Sequence, residues 1–130
     1  MPQQDSRVHQ RLENFKKALK QYESGLSPTM SRLEEEGLIQ RFEYTFELAW
    51  KCLQDVLTQK GYAEIRGPRP SIEKAFQDGL ITDGIIWMDM LKARNEVTHL
   101  YDEATFLRIS ADVKSRFLAT LQKFRTEFKP

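Results

Sequence analysis

A single cysteine, Cys52, leaves this chain unable to form an internal disulfide or a CxxC redox or zinc pair, and it fits a reducing compartment. Net charge is almost absent as well. Lys and Arg number 20 against 19 Asp and Glu, a formal charge of +1. That balance excludes the broad positive field by which a protein coats nucleic acid without specificity, and still leaves room for a local anion site. No apolar run approaches the roughly 20 residues that span a bilayer. The opening MPQQDSRVHQRLENF carries no continuous apolar stretch of the sort a secretory leader requires. These absences point to a soluble, cytoplasmic protein with no membrane partner. No set of carboxylates, histidines and cysteines shows metal-ligand spacing, and no glycine-rich phosphate loop occurs. A site in this chain is therefore expected to work without a metal and without a resident cofactor. Convincing period-two alternation is missing too, so no strand is expected, and there is neither an internal repeat nor a low-complexity tract.

What is present is helical patterning. At 130 residues the chain fits one domain, residues 1–130, with a modest core. Val8, Leu12, Phe15, Leu19 and Tyr22 step along one face of a first helix, which SGLSP breaks at Gly25 and Pro28. A short turn is expected around Met30 to Leu33. A long second stripe then runs through Leu38, Phe42, Phe46, Ala49, Trp50, Leu53 and Leu57, with Gly61 after it. Cys52 lies in this stripe and reads as a packed thiol. GYAEIRGPRP reads as a loop because of Pro68 and Pro70, and Ser71 as the N-cap of a short helix carrying Ile72, Ala75 and Phe76 that ends near Gly79. Ile86, Trp87, Met90 and Leu91 mark a fourth helix. Asp102 caps a last one, whose face reads Phe106, Ile109, Val113, Phe117, Leu121, Phe124 and Phe128. The expectation is an all-α, up-and-down antiparallel bundle of four main helices plus short additional ones.

One stretch departs from this patterning. In KARNEVTHLYDEA, residues 92–104, an arginine, an asparagine, a histidine and a tyrosine crowd together ahead of a helix start. Arg94 suits phosphate, because its guanidinium is a rigid, permanently charged fork of donors. His99 supplies an imidazole, the side-chain type best suited to take or give a proton. Asn95, four residues before His99 and on its face, can orient the imidazole or the phosphate. Arg94 and His99 differ by about 140° around a straight helix, so they converge only at a distorted helix end or across a two-fold axis. Residue types alone leave two readings open: an anion site, or a helix end whose basic residues complement its dipole. His9 sits among polar residues and suggests nothing. The basic side of the last helix (Arg108, Lys114, Arg116, Lys123, Arg125 and Lys129) reads as a solvated face or as a guide for RNA.

RNEVTHLY, Arg94 to Tyr101, resembles the signature of HEPN domains, an arginine and a polar residue followed after a short spacer by a histidine. The tyrosine two places beyond resembles the subgroup encoded beside minimal nucleotidyltransferases in toxin–antitoxin pairs. RFEYTFELAWKCLQDVL, GPRPSIEKAFQDGLI and WMDMLKARNEVTHLYD read like the same subgroup, once described as nucleotidyltransferase substrate-binding proteins. The resemblance spans roughly residues 8–125 and finds Arg94, Asn95, His99 and Tyr101 all in place. It implies a homodimeric bundle with the two Arg-x4-His motifs facing each other. It also implies a metal-independent endoribonuclease acting on RNA, with catalytic Arg94, Asn95 and His99, and Arg94 and His99 holding the nucleotide or phosphate. Tyr101 would be the AMP acceptor by which the partner nucleotidyltransferase silences the toxin. The alternative within the resemblance is a non-catalytic nucleotide- or substrate-binding subunit of that enzyme.

Overall fold

A computed structural model of the protein describes the backbone from residue 3 to residue 130 and side chains from Ser6 onward. Residues 1 and 2, part of the stretch read for a leader, lie outside the described residues. All regular structure among the described residues is helical: α1 (Gln3–Ser24), α2 (Arg32–Gln59), α3 (Pro68–Gln77), α4 (Gly84–Glu96), a 3-10 turn (Val97–His99), α5 (Glu103–Lys114) and α6 (Arg116–Glu127). No helix among them is long and apolar enough to cross a membrane.

The apolar stripes become the core. α1 runs antiparallel to α2, with Arg11 against Asp55 at one end and the Tyr22 and Phe42 rings meeting at the other. α4 runs antiparallel to α5 and α6, which Asp89 against Arg116 and Glu96 against Arg108 record. The bundle closes on rings drawn from α1, α2, α4 and α6. Phe42 stacks on Phe117 at 5.1 Å, and Phe124 takes Phe15 and Trp87 edge-on at 5.2 Å each. Burying such a side chain stabilises the fold by about 1.5–3 kcal/mol. Tyr22 spends its hydroxyl on the Val113 carbonyl, so its burial leaves no orphan donor. Cys52 is fully buried, and burial pushes its thiol up to about 12, so it is a packing residue and no nucleophile.

Four local expectations need correction. α2 starts at Arg32, a turn and a half before its apolar stripe. Ser31 is its N-cap and Glu34 returns the bond, a capping box spelled out by the sequence SRLE. α3 begins at Pro68, not after Pro70, and Ser71 lies inside it. Both prolines fit because the first turn of a helix has no intrahelical partners for its N–H groups. Gly67, at φ 86°, provides the left-handed entry, and the Ser71 hydroxyl donates back to its carbonyl. Phe76, expected in the core, is 51% exposed. The last helix is two helices, broken at Ser115, whose hydroxyl donates to the Ala111 carbonyl while its N–H turns to Asp112. Side-chain competition for an i−4 carbonyl bends helices without any proline or glycine.

Candidate functional site

The motif sits where α4 runs out. Its last turn tightens into the 3-10 turn Val97–His99, and the chain passes through Leu100 and Tyr101 to Asp102. Asp102 is the N-cap of α5 as expected, accepting from the Thr105 N–H at 3.0 Å and the Thr105 hydroxyl at 2.8 Å. These bonds hold its carboxyl below the usual aspartate range. From outside, Arg32 staples the corner. It donates to the Leu100 carbonyl at 3.1 Å and to Glu103 at 2.8 Å, with its guanidinium 3.6 Å from the centre of the Phe106 ring. Three residues around the turn are thus fixed, so the link between the helices is short and ordered while its polar tips face outward.

Arg94 and His99 have different partners within the chain. Arg94 lies across α2, with Nε 2.6 Å from one Glu47 oxygen and a terminal nitrogen 3.0 Å from the other. The Trp50 indole N–H donates to the same carboxylate at 3.0 Å. Asn95 accepts from the remaining Arg94 nitrogen at 3.1 Å, so it steadies the arginine and makes no bond to His99. Three of the five guanidinium N–H groups are spoken for and two stay available. Glu43, one turn earlier on α2, has its carboxyl raised by burial and then by the charge of Glu47. His99 is exposed. Its Nδ1 lies 3.1 Å from the Tyr101 hydroxyl, the rings edge-on at 5.7 Å, and Tyr101 is 81% exposed.

Sequence reasoning missed Glu47 and Arg32. Glu47 is separated from Arg94 by the whole of α3, and only tertiary packing pairs them; RFEYTFELAW offers no local cue beyond a carboxylate three residues before Trp50. Most of the basic side of α5 and α6 is paired with carboxylates. Arg108 pairs with Glu96, Lys114 with Glu35, Arg116 with Asp89 and Asp112, and Arg125 with Glu23. No group of three or more His, Cys, Asp or Glu among the described residues is placed to hold a metal ion.

The class the geometry defines is an all-helical bundle with an oriented arginine and a histidine–tyrosine couple at one helix end. The chain belongs to the nucleotidyltransferase substrate-binding-protein-like family, whose profile matches residues 10–130. A crystal structure of a protein from Thermus thermophilus has the same fold, with a TM-score of 0.73 and 29% sequence identity over 85% of this chain and 98% of that one. No curated protein sequence matches the chain significantly.

Proposed function

We propose that the chain is a HEPN-type toxin of a toxin–antitoxin pair, a metal-independent endoribonuclease that a partner nucleotidyltransferase silences by placing AMP on Tyr101. The observation that carries the reading is the 3.1 Å contact between His99 Nδ1 and the Tyr101 hydroxyl. One imidazole serves the proposed nuclease, and the proposed modification lands on the oxygen that touches it. In cleavage, His99 takes the proton of an RNA 2′-hydroxyl or returns one to the leaving oxygen, a contribution of about 10²–10⁴-fold. Arg94, held by Glu47 and Asn95, directs its two remaining N–H groups at the phosphate whose charge grows in the transition state. In silencing, the Tyr101 oxygen loses its proton and bonds to the α-phosphorus of ATP held by the partner. The bond from that phosphorus to the β-phosphate oxygen breaks, and pyrophosphate leaves. The new phosphodiester brings negative charge and bulk against His99, where the RNA phosphate would have to sit.

Arg94 and His99 act together when two copies of the chain meet across α4. The exposed side of α4 supports this arrangement: Ile85, Met88, Lys92, Asn95 and His99 succeed one another at spacings of three and four. Its first half is apolar, with Ile85 80% exposed beside Phe76 and Ile72 around a shallow groove of about 280 Å³. A two-fold contact through this patch carries the motifs toward each other. The second reading, a non-catalytic substrate-binding subunit, rests on the family description.

Purified protein incubated with RNA, and then with its nucleotidyltransferase and ATP, tests the proposal. The expected result is cleavage indifferent to EDTA, a loss of about 10²-fold or more in His99→Ala and Arg94→Ala, and AMP mapped to Tyr101. Tyr101→Phe keeps cleavage and escapes silencing. Wild-type protein that leaves every RNA intact, or cuts only with added metal, overturns the nuclease and favours the binding subunit.

A further inference from the structure

Away from the motif, α1, the C-terminal half of α2 and the link from α2 to α3 enclose an open cleft of about 430 Å³. Arg7 and Arg66 both line it. They are also the two arginines, among the described residues, with no ion pair or hydrogen bond; every other arginine holds an acid or a backbone carbonyl. A protein of almost zero net charge that pairs its arginines this thoroughly has left two cations unmatched in one concave place. The rest of the wall cannot substitute for them. Gln54 accepts from the Gly67 N–H at 2.9 Å, the Thr58 hydroxyl donates to the Gln54 carbonyl at 2.9 Å, and the Tyr62 hydroxyl donates to Asp78 at 2.9 Å. Asp55 is neutralised by Arg11 at 3.0 Å. Prolines at 68 and 70 deprive the start of α3 of two N–H groups, so it is a poor anion holder. What remains is a pair of free guanidiniums, which outnumber the one free carboxylate of the wall, Glu64, beside the half-buried apolar faces of Tyr62 and Ile65. Glu64, among the described residues the one other than glycine at positive φ (69°), turns the lip of the cleft.

The cleft is continuous with the motif along one face of α2. Glu47, which holds Arg94, is followed on the same face by Lys51, Gln54 and Thr58, at spacings of four, three and four. The length from 47 to 58 is about 16 Å along the helix. Lys51 lies midway, its ammonium 5.7 Å from the centre of the Trp50 ring and without an acidic partner. We propose that this face is the track of a single-stranded RNA, with Arg94 at the scissile phosphate, Lys51 beneath the next ones, and the Arg7–Arg66 cleft holding a backbone phosphate of the flanking segment while a base lies against Tyr62 and Ile65. The track rests on the nuclease reading for its direction, whereas the anion cleft stands on its own geometry.

The shared chemistry is a phosphate ester, which a free nucleotide also carries, and the test separates the two. A labelled 12-nucleotide RNA and a 4-nucleotide RNA are titrated by fluorescence anisotropy against His99→Ala protein, which keeps the strand intact, and against the same protein carrying Arg7→Ala and Arg66→Ala. ATP is titrated in parallel. The expected result is a loss of about tenfold for the 12-mer, with the salt dependence shallower by about 0.7 per phosphate contact removed, and little change for the 4-mer or ATP. Arginine-dependent binding of the 12-mer to a protein that never cuts RNA keeps the cleft and sinks the nuclease. Equal affinity and equal salt slope in the two proteins overturn the cleft as a phosphate site, whatever the enzyme does. Binding of ATP that needs Arg7 and Arg66, with no such need for RNA, overturns the strand in favour of a mononucleotide.

Discussion

The two basic regions of the molecule invert what their composition suggests. α5 and α6 together carry five Lys and Arg, yet Arg108, Lys114, Arg116 and Arg125 are each held by a carboxylate from another helix. Lys123 reaches the Thr82 hydroxyl at 3.0 Å, with Asp83 at 4.0 Å. These cations lace α5 and α6 to α1, α2 and α4. The cleft between α1 and the link after α2 has only Arg7 and Arg66, and both are free. Counting charges therefore does not locate the free cations, because internal pairing takes up most of those on α5 and α6. Motif and cleft contrast in a second way: Arg94 is aimed by Glu47, whereas no partner among the described residues holds Arg7 or Arg66.

Charge reversal offers the largest separation between the two regions. Arg66→Glu is expected to weaken 12-nucleotide RNA by more than about tenfold, since it removes one phosphate contact and adds a repulsion. Arg116→Ala, in the paired region, is expected to change RNA affinity by less than about twofold, because its guanidinium already serves Asp89 and Asp112. The same variants differ in the opposite sense in urea melts, Arg116→Ala losing stability and Arg66→Glu staying within about 0.5 kcal/mol of wild type. RNA binding that follows Arg116 instead would return the final helices to the role their sequence suggests.

A smaller effect comes from pH, and it acts on the laced region alone. Glu23 is held below the usual glutamate range by its hydrogen bond from Arg125, and Glu35 by those from Lys114 and Ser110. Their stabilisation is complete above the unfolded glutamate value of about 4.3 and is lost as pH falls through the lower folded values. Acid should loosen the attachment of α5 and α6 first. Glu43 has the opposite sign, its carboxyl raised by burial and by Glu47, so its contribution improves as pH falls through that raised value. Thermal melts between pH 3 and 7 check this: Glu23→Gln should flatten the acid limb, and an unchanged limb would mean that the Glu23–Arg125 pair contributes nothing to folding.

Helical periodicity made the bundle legible because each stripe is a local pattern, and Asp102 was legible as a cap because capping spans three residues. Errors arose where two local signals competed. Pro68 and Pro70 read as breakers although they occupy a first turn, and Ser115 breaks a helix that its apolar spacing continues through. RNEVTHLY holds residues that the fold divides between two sets of partners, Arg94 with Glu47 and Asn95, and His99 with Tyr101, a contact that spans only two positions. Glu47 and the cleft were illegible, since each is assembled from segments far apart in sequence. Unpaired arginines are defined by the absence of partners, which only the folded chain reveals.

Lys51 supplies the smallest and most discriminating test of how the two sites relate. It lies on the face of α2 between Glu47 and Gln54, lines neither the cleft nor the motif, and touches only the Trp50 ring among the rings and charges around it. If a strand runs from Arg94 to Arg66, the phosphates between them pass this ammonium. Lys51→Ala should then weaken the 12-nucleotide RNA by about two- to threefold and make the salt dependence shallower by about 0.7, the loss of one single-strand contact. An isolated nucleotide pocket makes no such demand, because the ammonium is a turn away from the cleft floor and outside its lining. The substitution is mild for the fold: alanine is the better helix former, and an exposed lysine-to-indole contact is worth about 0.5–1 kcal/mol. An effect on the long RNA without one on the short RNA joins cleft and motif into one surface. Identical salt slopes for Lys51→Ala and wild type would separate them, leaving the Arg7–Arg66 cleft as a site of its own.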